Sequence, residues 1–310
     1  MMSPCRDEME SAEERFLSGF VPVVGRPNVG KSTLLNRILG EKVSIVSDKP
    51  QTTRNRICGV LTGNGHQIVF LDTPGIHKAK DEINRYMVGV ALSTFSEADL
   101  VLFLVEPDVT PGKGDQVIYG MLREERAPVF VLVNKMDCVP REQWEDRVER
   151  HRKFFPRMEI FPISARTGEG VKELVEEIVR RLPPGPMYFP PDQYTDQPIR
   201  LLSSEIIREQ VFDLTGEEVP YSVAVEIVSF EEKAGEPQGL VSIEAHIHVE
   251  RDSQKGILIG KQGQMLKRIG TQARQEIECL LGAHVFLRLW VKVTKGWKND
   301  RASLRRFGYG

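Results

Sequence analysis

The stretch Gly25-Arg26-Pro27-Asn28-Val29-Gly30-Lys31-Ser32 fits G-x-x-x-x-G-K-[ST] and constrains the fold more than any other feature of the chain. Such a loop cradles phosphates where it joins a strand to the N-terminus of a helix, so that backbone N–H groups and the helix dipole face the anion. The flanks agree: VPVV (21–24) is a short apolar run, and STLLNRIL (32–39) carries helical spacing. Lys31 then supplies a point charge to the β and γ oxygens and Ser32 a hydroxyl to Mg²⁺, while Thr33 continues the phosphate-facing turn.

From Phe20 to about Leu182 the same alternation repeats. The apolar runs QIVFLDT (67–73), DLVLFLVE (99–106), APVFVLVNK (127–135) and EIFPISA (159–165) are separated by helical segments such as GVKELVEEIVRRL (170–182). Runs without polar alternation are buried on both faces, as in a parallel sheet covered by helices. Residues 19–182 are therefore expected to form an α/β domain with a mostly parallel, doubly wound sheet.

Three further motifs sit at strand ends, where sheets of this type bind ligands. Asp72-Thr73-Pro74-Gly75 can hold Mg²⁺ through Asp72 and meet a γ-phosphate with the Gly75 N–H. In Asn134-Lys135-Met136-Asp137, an ionised Asp137 accepts the two adjacent donors that guanine offers and adenine lacks, so GTP and GDP are the expected ligands. Lys135 can pack over the purine, and Ser164-Ala165 can place a backbone N–H on the guanine oxygen. In the polar segment SDKPQTTRNRI (47–57), Thr53, ahead of Thr52, is expected to complete the Mg²⁺ shell in a loop that orders on the γ-phosphate. Ile76 stands where a Ras-like enzyme has the glutamine that orients the attacking water. Hydrolysis should then be slow unless another group helps, and Asn28 is a candidate ligand for K⁺ in that role.

The proline-dense PPGPMYFPPDQYTDQP (183–198) cannot continue helix or sheet, and is expected to be a semi-rigid linker that its Tyr and Phe residues could dock on a domain surface. Beyond it, LLSSEIIREQVFDLTG (201–216) reads as an amphipathic helix ended by a glycine. YSVAVEIVSF (221–230), LVSIEAHIHVE (240–250) and HVFLRLWVKV (284–293) read as strands. The middle one alternates, with Val241, Ile243, Ala245, Ile247 and Val249 facing in and His246 and His248 facing solvent. Gly260-Lys261-Gln262-Gly263 lies between two helical segments, the setting of a KH domain, whose G-x-x-G loop clamps about four nucleotides of backbone. Residues 199–310 are expected to be a small α+β domain of that kind. Ile257 and Ile259 would line its base groove. Lys261, Gln262, Lys267 and Arg268 would meet the RNA around the loop, and Lys295, Trp297 and Lys298 of the basic, aromatic terminal segment would add charge and stacking.

Charge agrees with that assignment. From Arg251 to Gly310, 13 Lys and Arg face four acids, a local net charge of +9 in a chain whose total is −2. A basic pole on an otherwise acidic protein suits a polyanion. No apolar run approaches the roughly 20 residues that span a bilayer. The opening MMSPCRDEMESAEERF is acidic and lacks an apolar core, so residues 1–18 read as a tail rather than a secretory signal. Cys5, Cys58, Cys138 and Cys279 are widely spaced, as idle thiols in a reducing cytoplasm would be.

Taken together, GRPNVGKSTLLN, QTTR, LDTPGI, NKMD, ISARTGEG, the linker, VPYSVAVE and the region from G-x-x-G through KGWKND resemble the Era family of bacterial GTPases. The resemblance covers the chain after the acidic tail, where positions 1–18 depart from the family pattern. It implies a Ras-like P-loop GTPase domain followed by a type II KH domain that recognises the 3′ end of 16S rRNA. It also implies a role in maturation of the 30S subunit, a monomer in the cytoplasm, and peripheral association with the inner membrane. Two other readings use the same residues: an RNA chaperone with a structural nucleotide site, and a GTPase of tRNA modification or membrane-linked regulation.

Overall fold

The computed structural model describes residues 15–76, 81–108, 110–216, 218–233 and 239–309, so most of the acidic tail, Cys5 included, lies outside the described residues. The first sheet has the strand order β2-β3-β1-β4-β5-β6. Its strands are β1 (Leu17–Gly25), β2 (Ile57–Gly63), β3 (His66–Asp72), β4 (Val101–Val105), β5 (Val129–Val133) and β6 (Glu159–Pro162). Only β2 is antiparallel to its neighbour. β1 begins at Leu17, whose Cα pairs with His66, so the first strand starts inside the segment read as tail.

The unbroken apolar character of DLVLFLVE has a direct cause. Leu102 and Leu104 pack with Leu34 and Leu35 of α1 (Lys31–Leu39) and with Leu174 and Ile178 of α5 (Val171–Arg181). The alternate residues Val101, Phe103 and Val105 pack on the other face, against Ala91 of α2 (Glu82–Ser93) and Ile118 and Leu122 of α3 (Lys113–Leu122). α4 (Trp144–Phe154) and Phe155 close that second layer. Each such side chain contributes about 1.5–3 kcal/mol on burial, and strands that feed two layers gain from both.

A second, three-stranded sheet has the order β7-β8-β9, from β7 (Ala224–Lys233), β8 (Leu240–Val249) and β9 (His284–Val293). β7 and β8 are antiparallel, and β8 and β9 parallel. Val241, Ile243, Ala245, Ile247 and Val249 all face the core, as their alternation predicts. They meet α6 (Ile199–Leu214) and α8 (Gln264–Leu281), the latter through Ile269, Ala273 and Ile277, spaced four apart on one helical face.

Three expectations for this half are corrected. α6 is buried all round from Leu202 to Phe212 rather than amphipathic, because it lies between the second sheet and the first domain. It is capped by Thr215 in an extended conformation, and not by a glycine. His246 and His248 are buried: the chain beyond α9 (Arg301–Arg306) covers His248, with the Phe307 ring 4.4 Å from its own, and His246 sits beside it with Glu226 and Glu244 each 3.7 Å away.

The proline-rich segment runs along the first domain. Tyr194 O accepts from Val60 N at 2.9 Å, and Thr195 Oγ1 donates to Cys58 O at 2.6 Å. Buried Gln67 fixes its middle, accepting from Tyr188 N and Phe189 N and donating to Phe189 O. No helix among the described residues is long and apolar enough to cross a membrane.

Candidate nucleotide pocket and RNA-binding groove

The turn from β1 into α1 needs Gly30, which has φ +100 and where any Cβ would collide with Asn134 Nδ2. α1 starts directly after it, so the N–H groups of its first turn, from Lys31, Ser32 and Thr33, have no helical acceptors. Lys31 is buried, with Nζ donating to Arg26 O at 2.9 Å; burial pushes its ammonium down to about 8 against the influence of Asp72. Ser32 Oγ donates to Asp72 Oδ2 at 2.6 Å and lies 2.9 Å from Thr53 Oγ1. Ser44 Oγ, a residue the sequence reading missed, donates to the same carboxylate oxygen at 2.8 Å. Burial raises the Asp72 carboxyl even though Lys31 and three hydroxyls oppose it, and its Oδ1 is buried without a partner. An orphaned carboxylate oxygen beside two hydroxyls is a donor set that suits a hard cation such as Mg²⁺. Thr53 belongs to that set; the Thr52 hydroxyl is engaged by Lys49 O at 2.7 Å.

Gly75 lies against the loop so closely that a Cβ would sit 2.5 Å from Pro27 N. Thr73 is buried and its Oγ1 donates to Val23 O at 2.9 Å, so it braces the strand end. The Ile76 side chain packs in the apolar layer with Val24 and Phe103 and takes no place in the pocket wall. Asn28 lines the pocket with φ 65, its Nδ2 2.5 Å from Asp48 O.

At the base end, Asn134 is a staple: Nδ2 donates to Val29 O at 2.7 Å and Oδ1 accepts from Ala165 N at 2.9 Å. Asp137 accepts from Ser164 Oγ at 2.6 Å and from Arg166 Nη2 at 2.5 Å. Burial works against its charge, but Ser164 and Arg166 hold the carboxyl below its usual range, so it is an ionised acceptor. Lys135 rests on Glu106 at 2.5 Å. Met136 is fully buried and serves as a core spacer between the two polar residues. Arg26 does not line the cavity: its Nε donates to Asp115 at 2.8 Å and its Nη2 to the wall residue Glu106 at 3.3 Å. These elements enclose about 670 Å³, a volume typical of small-ligand sites, with Ile45, Val46 and Cys138 as wall residues that no motif flagged.

The wall formed by the segment 45–53 has a second neighbour. Val46 N donates to Glu209 Oε1 of α6 at 2.9 Å, and Lys42 bridges Glu209 and Glu276, each at 2.6 Å. Arg208 Nη2 bonds Thr52 O, and Lys49 Nζ bonds Phe212 O and Thr215 O. Arg54 enters the C-terminal domain entirely, 1% exposed, donating to Val223 O at 2.6 Å.

The second candidate site is a groove of about 410 Å³ beside Gly263, lined by Lys267, Thr271 and Arg274 on α8 and Leu287 and Leu289 on β9. Gly260, Lys261 and Gln262 form the turn between α7 (Asp252–Ile259) and α8, with Lys261 and Gln262 exposed. Ile257 is 49% exposed, Ile259 packs partly on the core, and Arg268 and Lys295 are exposed. Two expectations fail. Trp297 is fully buried with Nε1 bonded to Ser222 O at 3.1 Å, and it cannot stack on a base. Lys298 is engaged by Ser222 Oγ and Glu250.

A family model described as a 50S ribosome-binding GTPase matches residues 20–135, and a KH domain model matches residues 218–298. The GTPase Era of Geotalea uraniireducens is 55% identical over 297 residues, which cover 96% of this chain and 99% of that protein. The GTPase Era of Geobacter metallireducens is 56% identical over 298 residues with the same coverage. A crystal structure of Era in complex with MgGDPNP and nucleotides 1506–1542 of 16S ribosomal RNA matches with TM-score 0.92 at 44% identity, over 95% of this chain and 99% of its own. An Aquifex aeolicus Era variant bound to GDP and AlF4⁻ matches with TM-score 0.91 at 44% identity and the same coverage.

Proposed function

The chain belongs to the Era family of GTPases, and from that premise we propose that it is a Mg²⁺-dependent switch that grips the 3′ end of 16S rRNA during 30S maturation. The G domain runs to Leu182, residues 183–198 strap it to the KH domain, and residues 199–310 hold RNA. Backbone N–H groups of the Gly25–Thr33 loop and Lys31 carry the phosphates, Ser32, Thr53 and Asp72 hold Mg²⁺, and Asp137 with Ala165 N reads guanine. Mg²⁺ neutralises charge on the β and γ oxygens. Gly75 N–H faces the γ-phosphate, and Ile76, withdrawn into the core, contributes nothing to orienting water. Asn28 is the proposed ligand for a K⁺ that supplies charge there instead, and exchanging K⁺ for Na⁺ should lower the hydrolysis rate at least tenfold; an unchanged rate removes K⁺ from the account. On the RNA side, Gly260 to Gly263 with Lys267 and Arg268 take the backbone, and Ile257, Ile259 and Lys295 flank the bases. The protein acts as a cytoplasmic monomer with peripheral contact to the inner membrane.

One observation carries the switch reading: the segment 45–53 walls the nucleotide pocket on one side and is bonded to α6 on the other. A γ-phosphate that repositions Thr53 must also alter the bonds to Glu209 and Arg208. Single-turnover hydrolysis with and without an rRNA 3′-end oligonucleotide tests it. The switch requires stimulation by RNA, or an RNA affinity that differs between GTP-analogue and GDP forms. If neither is found, the RNA-chaperone alternative with a structural nucleotide site stands.

A further inference from the structure

β9 is one of the two edge strands of the second sheet, and its two faces have different fates. Leu287 and Leu289 face the groove beside the G-x-x-G loop. The alternate residues Phe286, Arg288, Trp290 and Lys292 line the outer face and are exposed, Phe286 and Trp290 at 53% each. The C-terminal chain covers the outer face at His248 through Phe307, yet leaves this row uncovered. Two large aromatics on one open face are an unusual expense of apolar surface for a folded domain. Their neighbours give the row a chemistry. The Arg288 guanidinium lies 5.6 Å from the Phe286 ring centre. Two of the acids behind the row are matched by cations, Glu244 by Arg288 at 3.7 Å and Glu226 by Arg306 at 2.7 Å, while exposed Glu231 stands at the far end of the face, across Ser242 from Phe286.

Aromatic faces alternating with cations at every second residue of an open strand form a base-stacking platform, because each base presents a π-face and each linking phosphate a charge. At about 3.3 Å per strand residue, the two rings stand roughly 13 Å apart, which gives separate seats for two unstacked bases. The row also shares its strand with the groove, so RNA leaving the groove over the free edge of β9 reaches Phe286 and Trp290 without a gap. We propose that the outer face of β9 is a second single-stranded RNA site, continuous with the groove, in which Phe286 and Trp290 stack bases and Arg288 and Lys292 hold phosphates. The site rests on the RNA reading above and extends it: the groove clamps about four nucleotides, and this face takes those that follow.

The test compares two RNAs on the full chain, a four-nucleotide oligomer that fills only the groove and a twelve-nucleotide one that reaches round the edge. Phe286→Ala and Trp290→Ala should each weaken the long RNA about tenfold and leave the short one within about twofold, given the usual energy of base–aromatic stacking. Trp290→Phe, which keeps a stacking face, should restore most of the loss; loss through misfolding would affect both RNAs alike. Gly263→Asp provides the second arm by placing a carboxylate in the groove, and it should weaken both RNAs. If Gly263→Asp weakens both while the aromatic variants change neither, the groove reading survives and the second site is overturned. If Gly263→Asp changes neither, the RNA reading falls and takes this site with it. A face that serves a protein partner gives unchanged long-RNA binding in both alanine variants, which also overturns the proposal.

Discussion

Arg54, next to Thr53 in sequence, lies against both Trp297 and Tyr309, its guanidinium carbon 5.7 and 5.5 Å from their ring centres, which are themselves stacked 6.2 Å apart. The loop that supplies a Mg²⁺ ligand is thereby plugged into the aromatic cluster that closes the C-terminal domain. Burial lowers the Arg54 pKa, with only Tyr309 and Glu205 in favour of the charge. The contact is therefore maintained by geometry: hydrogen bonds to Val223 O at 2.6 Å and Tyr309 Oη at 3.3 Å, and two ring faces.

Arg54→Ala should cost about 2–3 kcal/mol of unfolding free energy, the scale of a desolvated cation–π contact together with a charged hydrogen bond. Urea titration measures it. The same variant should lose the difference in RNA affinity between GTP-analogue and GDP forms. Arg54→Lys should recover little of either, since an ammonium lacks the planar fork that reaches two acceptors and two rings. A nucleotide-dependent RNA affinity that survives Arg54→Ala would remove this residue from the coupling.

Asp137→Asn should weaken GTP binding at least 100-fold, because the amide presents a donor where guanine also presents donors. Xanthine carries a carbonyl at the position of guanine's exocyclic amine, so xanthosine triphosphate should bind the variant better than GTP does. Competition against a fluorescent guanine nucleotide measures both. Equal loss for the two bases would mean that Asp137 acts only through its bonds to Ser164 and Arg166.

Lys31 sets the pH dependence of nucleotide binding. Its ammonium titrates at about 8 in the pocket, below its ordinary 10.5, because burial disfavours the charge. Phosphate oxygens stabilise the ammonium, so the nucleotide complex has the higher pKa. Above pH 8 binding must then take up a proton, and affinity should fall by up to about tenfold per pH unit. Calorimetry at pH 9 in two buffers of different ionisation enthalpy counts the proton. In Lys31→Arg, whose charge does not titrate in this range, the buffer dependence should vanish.

Most of the nucleotide pocket was legible because its parts are contiguous motifs at strand ends, and strand-to-loop geometry fixes where they meet. Ser44 escaped because a single hydroxyl has no pattern; it reaches Asp72 only through the path of the loop after α1. The α6 contacts escaped for another reason. Glu209 and Arg208 meet residues more than 150 positions earlier, and a charged residue in a helical run reads as solvated unless its distant partner is known. That is why α6 reads as amphipathic in sequence while burying Glu205, Arg208 and Glu209. Trp297 failed in the opposite direction: an aromatic among lysines reads as a stacking residue, but its indole fills the core, and the exposed aromatics described in residues 199–310 are Phe286 and Trp290 on β9.

His248 should make the C-terminal domain acid-sensitive. It is buried, with Nε2 3.0 Å from Glu226 Oε2 and Nδ1 2.9 Å from Thr294 Oγ1. Burial, with Arg306 and His246 nearby, lowers its pKa below 6.5 in spite of Glu226. The unfolded chain, with an ordinary imidazole, therefore binds more protons than the native one as pH falls through about 6.5. More protons on the unfolded side means that stability declines with falling pH, by at most about 1.4 kcal/mol per pH unit from this group. His248→Gln keeps polar contacts to Glu226 and Thr294 but cannot titrate. The variant should be less stable than the parent at pH 7.5, and the gap between them should narrow toward pH 5 in parallel urea titrations. A gap that stays constant or widens would mean that the native state accepts the imidazolium, with Glu226 turning from Arg306 to serve it.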